Sequence, residues 1–267
     1  MPSSTSYMYA GLAALLVGIG LVRGPADVDA APEAAPKVRF VGNARGSSER
    51  LRGAIAEYPL FDDAGMIEQE VLERDLLLIS AYYWDHGYAQ VKVREPVIPP
   101  ARDAVTIPIE EGPVFTMGAV AVTGDLLGTA KQDLARIRVR PGVRFSRRMI
   151  ADDREALSDY YQDQGYAYVN VLPLTKIDLE RRTIGLTFEI TRGELASFER
   201  IEVVGNARTP ADAIRTAMRI WEGDPFTNRQ LVEGKRRVQA LGLADVVLST
   251  RRGSSDELVV LTIEVQE

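Results

Sequence analysis

The sequence predicts an α+β protein of three tandem β-α-α-β-β domains, each a three-stranded mixed sheet covered by two helices. Two observations predict this fold. A pattern of glycine and aromatic residues recurs three times at nearly constant spacing, and the apolar residues of each copy follow strand and helix periods. The length of 267 residues alone suggests two domains, but an internal repeat overrides that estimate. Neither a sheet nor a helix layer buries its apolar side alone, so both helices must pack on one sheet face.

Each copy opens with a predicted strand that ends in a glycine turn. The three opening segments are Val38–Asn43, Val120–Asp125 and Ile201–Asn206. Their glycines are 82 and 81 residues apart. The later landmarks are a phenylalanine (Phe61, Phe145, Phe226) and a glycine before Tyr or Leu (Gly87, Gly165, Gly242). The constant order and period predict domains at residues 37–112, 113–193 and 194–267.

Two helices are predicted after each opening strand. The expected caps of the first helix are Ser48, Thr129 and Thr209, the last of these followed by Pro210. In the third copy its apolar stripe is Ile214, Met218 and Trp221. The second helix begins at Ser146 or Thr227 and ends at the glycine landmark. Its apolar face is Ile150, Leu157 and Tyr161 in the second copy, and Leu231, Val238 and Leu241 in the third.

Two strands with a period of two close each predicted domain. The earlier strand follows the glycine landmark, at residues 91–93, 169–171 and 246–248. The later strand runs through residues 105–109, 184–190 and 259–265. The domains are joined by very short links, because almost nothing separates the last strand of one from the first strand of the next.

The N-terminus predicts a secretory signal peptide over residues 1–30 and a linker over residues 31–36. Residues 10–22 are apolar or glycine without interruption, and this run is shorter than the ~20 residues of a membrane span. The small residues ending at Ala30 fit a cleavage pattern, although no Lys or Arg precedes the apolar run. An uncleaved N-terminal anchor and a buried helix stay open as alternatives.

The composition argues against several classes of protein. The absence of cysteine excludes disulfide scaffolds, thiolate zinc sites and thiol nucleophiles. The single histidine, His86, precedes a glycine helix stop, where the helix dipole explains it without catalysis. A net charge of −6 argues against a sequence-independent nucleic-acid binder. We therefore expect no enzymatic activity, no catalytic residue, no cofactor and no metal site.

Paired carboxylates and basic clusters have structural explanations. Adjacent pairs occur at Asp62-Asp63, Glu110-Glu111 and Asp152-Asp153. Neighbouring residues point to different faces, and a first-turn position on a helix explains the two aspartate pairs. The basic clusters are Arg144/Arg147/Arg148, Arg181/Arg182, Lys235/Arg236/Arg237 and Arg251/Arg252. They are expected to be solvated faces or contacts for anionic lipid or an acidic partner.

These segments resemble the POTRA domain, the polypeptide-transport-associated module of BamA, TamA and two-partner-secretion transporters. The resemblance is carried by Ile201-x-Val203-x-Gly205-Asn206, by Gly223 to Thr227, by Gly242 to Val246 and by Glu111-Gly112. It covers about residues 37 to 267. The third copy matches this pattern best, and the first copy diverges most.

The resemblance implies a periplasmic scaffold for outer-membrane protein assembly and insertion, associated with the outer membrane of a Gram-negative bacterium. Its partners would be unfolded outer-membrane or secreted polypeptides, assembly lipoproteins and a membrane β-barrel in cis or in trans. Clients would add a strand to the edge formed after the second helix. The implied edge residues are Val91, Lys92, Val93, Val169, Asn170, Val171, Val246, Val247 and Leu248.

Two questions stay open at this point. POTRA arrays precede a membrane barrel, but this sequence ends directly after its last predicted strand. It is therefore either part of a longer product or a stand-alone periplasmic protein. The alternative function is an interaction module in cell-envelope or cell-division assembly, anchored in the inner membrane by residues 10–22.

Overall fold

The structure is a computed structural model that describes residues 37–55, 59–62, 67–99 and 104–267. The predicted signal peptide and linker, residues 1–36, lie outside the described residues. No helix in the described ranges has the length and apolar character needed to cross a membrane. The chain divides into two compact units, and this division passes through the second repeat.

The first repeat has the predicted β-α-α-β-β order. Its elements are β1 (Lys37–Val41), α1 (Ser48–Ile55), α2 (Gln69–Asp85), β2 (Lys92–Val93) and β3 (Ala104–Glu110). Strand β3 lies at the centre of the sheet, parallel to β1 and antiparallel to β2. Leu51, Ile79 and Tyr83 of the helices are fully buried in one cluster with residues of β3. The Ser47 hydroxyl oxygen accepts a hydrogen bond from the N–H of Arg50 at 3.1 Å, so the cap of α1 lies one residue before the predicted Ser48.

The second repeat repeats this order. Its elements are β4 (Thr116–Gly124), α3 (Ala130–Arg136), α4 (Arg147–Gln162), β5 (Asn170–Asp178) and β6 (Thr183–Thr191). The sheet order β4-β6-β5 again places the last strand at the centre. Thr129 and Gln132 form a reciprocal capping box at the start of α3, which confirms the predicted cap. The predicted apolar face of α4 is confirmed, since Ile150, Leu157 and Tyr161 are all buried.

The third repeat has the same order of elements. Its elements are β7 (Ser197–Val204), α5 (Ala211–Met218), α6 (Asn228–Gln239), β8 (Asp245–Arg252) and β9 (Leu258–Gln266). Strand β9 is parallel to β7 and antiparallel to β8. Thr227 caps α6 by accepting the N–H of Gln230, as predicted. In the core of the third repeat, Ile214, Met218 and Val238 pack against the inner face of β9.

Three predictions about helix ends in the third repeat are wrong. Pro210, not Thr209, occupies the cap position of α5. The helix ends at Arg219 in a left-handed conformation (φ +55°), so Trp221 leaves the stripe and is 55% exposed. Leu241 lies beyond the end of α6 and is 45% exposed. A helical period identifies the buried face but does not show where the backbone leaves the helix.

The glycine landmark of the opening strands has a steric cause. Gly205 adopts φ +81°, and a Cβ atom there would lie 2.2 Å from the carbonyl oxygen of Val265. The equivalent glycines of the other two repeats make the same approach to their central strands: Gly42 and Gly124. The opening strand can turn away beside the central strand only where no side chain intervenes.

Candidate peptide-binding edge strands

The strands that follow the second helices, β2, β5 and β8, lie at one edge of their sheets. Each is hydrogen-bonded to the central strand on one side, and among the described residues no strand pairs with its other side, which makes it an edge. Seven of the nine candidate residues named from the sequence lie in these strands, and Val91 and Val169 lie just before them. The three strands differ in length and in proline content.

The edge of the first repeat is short. Strand β2 contains only Lys92 and Val93, which pair with the end of β3. Val91 precedes the strand and donates its N–H to the carbonyl of Tyr88 at 3.2 Å, in a turn. Further along, Val97 exchanges two backbone hydrogen bonds with β3, at 2.8 and 2.9 Å. The contact with β3 is therefore interrupted, and two residues form a small template for an added strand.

The edge of the second repeat is long but contains a proline. Strand β5 includes Asn170 and Val171, whereas Val169 lies in the turn that precedes it. Val171 is 4% exposed, so its side chain belongs to the core. Pro173 has no N–H and is confined to positions whose nitrogen faces away from the neighbouring strand. One donor of the outer edge is therefore missing at Pro173.

The edge of the third repeat is both long and free of proline. All eight residues of β8 pair with β9, without an irregularity in register. Val246 is fully buried and Leu248 packs against the core, so both side chains face the helices. Val247 points to the opposite face and is 44% exposed.

The hydrogen-bond phase of β8 shows which backbone groups face outward. Gly253, just after the strand, donates its N–H to the carbonyl of Leu258 at 2.8 Å. Because bonded and non-bonded pairs alternate in an antiparallel ladder, Leu248 and Thr250 direct their N–H and C=O groups away from β9. Among the described residues we find no hydrogen-bond partner for these outward groups. The backbone N–H of Val246 also points away from β9, but it donates a hydrogen bond to the Asp245 carboxylate at 2.7 Å.

The other residues considered for chemistry have structural partners. His86 stacks on Tyr82 with ring centroids 4.1 Å apart. Asp153 is 1% exposed and accepts the N–H groups of Arg138 and Val139 at 2.8 and 2.7 Å. Asp152, its neighbour, is exposed and forms an ion pair with Arg138. Both carboxylates contact the guanidinium of Arg138, Asp152 at 2.6 Å and Asp153 at 3.5 Å, and they lie in the second turn of α4 rather than in the predicted first turn.

Several members of the remaining pairs and clusters also have structural partners. Asp62 lies before α2 and not in its first turn, and Asp63 is outside the described residues. Glu110 pairs with Arg94 at the surface, whereas Glu111 is buried. Arg251 and Arg252 form ion pairs with Glu202 and Asp256. Arg237 donates to the carbonyls of Ala217 and Met218.

Known proteins share this sequence pattern and fold. The POTRA family model, described as a surface antigen variable number repeat, matches residues 36–112, 115–193 and 196–267. The outer membrane protein assembly factor BamA of Nitratidesulfovibrio vulgaris is 29% identical over 184 residues, or 67% of this chain and 23% of that protein. BamA of Neorickettsia risticii is 25% identical over 247 residues, or 90% of this chain and 33% of that protein.

The chain thus spans 23% to 33% of the length of these two curated relatives. Among solved structures, POTRA domains 3–5 of Haemophilus influenzae BamA match with a TM-score of 0.72 and 23% identity. That match covers 86% of this chain and 95% of the other, and it shows a shared fold. The three family matches together cover most of the described residues. The chain therefore belongs to the POTRA family, and its three repeats are homologous to the POTRA region of BamA proteins.

Proposed function

We propose that this chain is a non-enzymatic periplasmic scaffold for outer-membrane protein assembly, and that unfolded clients bind by adding a strand to β8. The observation that carries this proposal is the edge of β8, where Leu248 and Thr250 direct backbone donors and acceptors away from β9. An extended polypeptide satisfies such groups without requiring a particular sequence. This mode suits a scaffold that handles many different clients.

Strand β8 is favoured over the other two edges for two physical reasons. An added strand bonds to every second residue of the edge, so the two residues of β2 offer it very few bonds. The proline of β5 removes one outward donor and leaves a client carbonyl without a partner at Pro173. We therefore place client binding in the third repeat, with β2 and β5 as weaker edges.

The side chains beside this edge indicate the kind of client. Leu248 lies on the helix-covered face of the sheet, and Val247 lies on the opposite face, where it is 44% exposed. An added strand therefore meets one apolar side chain on each face of the sheet. Strands of membrane β-barrels alternate apolar and polar residues. Such a strand can place its apolar residues beside either neighbour.

Partner docking and location are further parts of the proposal. The relatives are outer membrane protein assembly factors by name, which supports assembly lipoproteins and a membrane barrel as partners of this chain. The predicted signal peptide supports export to the periplasm, next to the outer membrane. N-terminal sequencing of the mature protein tests export: a first residue at Ala31 supports it, and retention of residues 10–22 supports the inner-membrane-anchored alternative.

The client-binding test is an NMR titration of the isotope-labelled protein with a peptide of alternating apolar and polar residues. Amide shifts along residues 246–250 are expected. Thr250→Pro removes one outward N–H and should weaken binding about tenfold, since each tenfold step corresponds to ~1.4 kcal/mol. Thr250→Ala keeps that N–H and is the matched control. Equal affinity of the two variants, or shifts confined to β2 or β5, would overturn the assignment to β8.

A further inference from the structure

An aspartate at the end of α4 contacts the third repeat. Asp163 directly follows the helix, and its Oδ1 atom accepts the backbone N–H of Arg229 at 2.7 Å. Arg229 is the second residue of α6, where a helix has N–H groups without an intrahelical partner. The guanidinium of Arg229 also lies 3.5 Å from Asp163 Oδ2. One side chain of the second repeat therefore caps a helix of the third.

The same contact occurs one repeat earlier. Asp85 is the last residue of α2, and its Oδ1 atom accepts the backbone N–H of Arg148 at 2.7 Å. Arg148 is the second residue of α4, so the acceptor, the distance and the helix position all recur. Both aspartates stand two residues before a glycine landmark, in the sequences Asp-His-Gly-Tyr and Asp-Gln-Gly-Tyr.

A second hydrogen bond accompanies each aspartate. The carbonyl of Gly165 accepts the N–H of Ala196, just before β7, at 2.9 Å. The carbonyl of Gly87 likewise accepts the N–H of Phe115, just before β4, at 2.8 Å. One bond holds the incoming strand and the other holds the second helix of the same repeat. A single bond would allow rotation about itself, whereas two bonds to separate elements oppose it.

We propose that Asp85 and Asp163 are joint residues, each of which holds a repeat in one orientation on the next by recognising the N-terminus of its second helix. Ala240 occupies the equivalent position of the third repeat, and its methyl group accepts no hydrogen bond. That surface therefore does not recognise a helix N-terminus in this way. This inference concerns the geometry between repeats and does not depend on client binding to β8.

The test measures the distance distribution between two spin labels by double electron–electron resonance. The chain has no cysteine, so Lys131→Cys and Gln239→Cys, both at exposed positions, place the labels specifically in the second and third repeats. Asp163→Ala should at least double the width of the distribution. Thr227→Ala is the matched control, because it removes the other cap of α6 from within the third repeat. It should leave the width unchanged.

Equal broadening by both variants would mean that any loss of a cap at α6 has this effect, and it would overturn the proposal. An unchanged width in Asp163→Ala would also overturn it. Asp163→Asn, whose amide oxygen still accepts an N–H, should keep the narrow distribution. Asp85→Ala tests the first joint independently, with labels at Arg52→Cys and Lys131→Cys. Those labels should respond to Asp85→Ala and not to Asp163→Ala.

Discussion

Replacing Glu111 by alanine should destabilise the first repeat by several kcal/mol. The Glu111 side chain is buried just after β3 and accepts hydrogen bonds from residues far away in the sequence. Its Oε1 atom accepts the N–H groups of Arg45 and Gly46, both at 2.9 Å, and the hydroxyl of Tyr83 at 3.0 Å. Tyr83 is 0% exposed, so water does not replace the carboxylate there.

The magnitude follows from the donors that lose their acceptor. Arg45 is exposed and its N–H can turn to water, but Gly46 and Tyr83 are buried. A buried donor without a partner costs about 1 to 3 kcal/mol, so two such donors cost roughly 2 to 6 kcal/mol. A domain of this size has a urea m-value of about 1 to 2 kcal/mol per M and little stability to spare. Dividing this loss by the m-value gives a fall in the urea midpoint of about 1 to 6 M.

Tryptophan fluorescence can follow the unfolding of α2 in the first repeat. The chain has two tryptophans, so Trp221→Phe leaves only Trp84, in α2, as the reporter. Glu110→Ala is the matched control, because Glu110 is 57% exposed and pairs with Arg94 at the surface. That pair contributes at most about 1 kcal/mol. A midpoint for Glu111→Ala within about 0.5 M of the Glu110→Ala midpoint would refute this reasoning.

Two further predictions concern the other repeats. Gly205→Ala should destabilise the third repeat by about 2 kcal/mol more than Gly223→Ala, because both positions have positive φ but only Gly205 faces a carbonyl oxygen, at 2.2 Å from the added Cβ. Equal urea midpoints, followed by Trp221 fluorescence, would contradict the steric argument. Burial raises the pKa of Tyr161 to about 12. The tyrosine hydroxyl of the unfolded chain ionises near pH 10. The stability that the buried neutral hydroxyl of Tyr161 contributes is therefore complete below pH 10 and is lost as the pH rises from 10 to about 12. The urea midpoint of Tyr161→Phe should fall less steeply over that pH range than the midpoint of the unsubstituted protein. Superimposable pH profiles of the two midpoints would disprove the assignment.

The repeat architecture could be predicted because its signals are local. Glycines with positive φ end the opening strands, and alternating apolar residues mark the strands that close each repeat. The capping side chains of Thr129 and Thr227 act within their own helices, and both predictions are confirmed. Each of these signals lies within one turn or one strand, so it does not depend on the rest of the chain.

The ends of helices and strands, and the length of each edge strand, were harder to predict. The left-handed conformation of Arg219 ends α5 before Trp221, although the apolar stripe continues in sequence. Strand β5 extends to Asp178 and includes Pro173, whereas the predicted edge ended at Val171. The proline was visible in the sequence, but its meaning depends on the side of the strand that the central strand occupies.

The sequence by itself determined that three similar units exist and which faces of their helices and strands are apolar, because periodicity reports burial directly. Only the tertiary structure showed that Glu111 bonds to residues 65 and 66 positions earlier, and that Asp163 caps a helix 66 residues later. It also showed that β8 pairs with β9 along all eight of its residues. A polar side chain finds its partner after the chain has closed, and its own sequence neighbourhood carries no record of that partner.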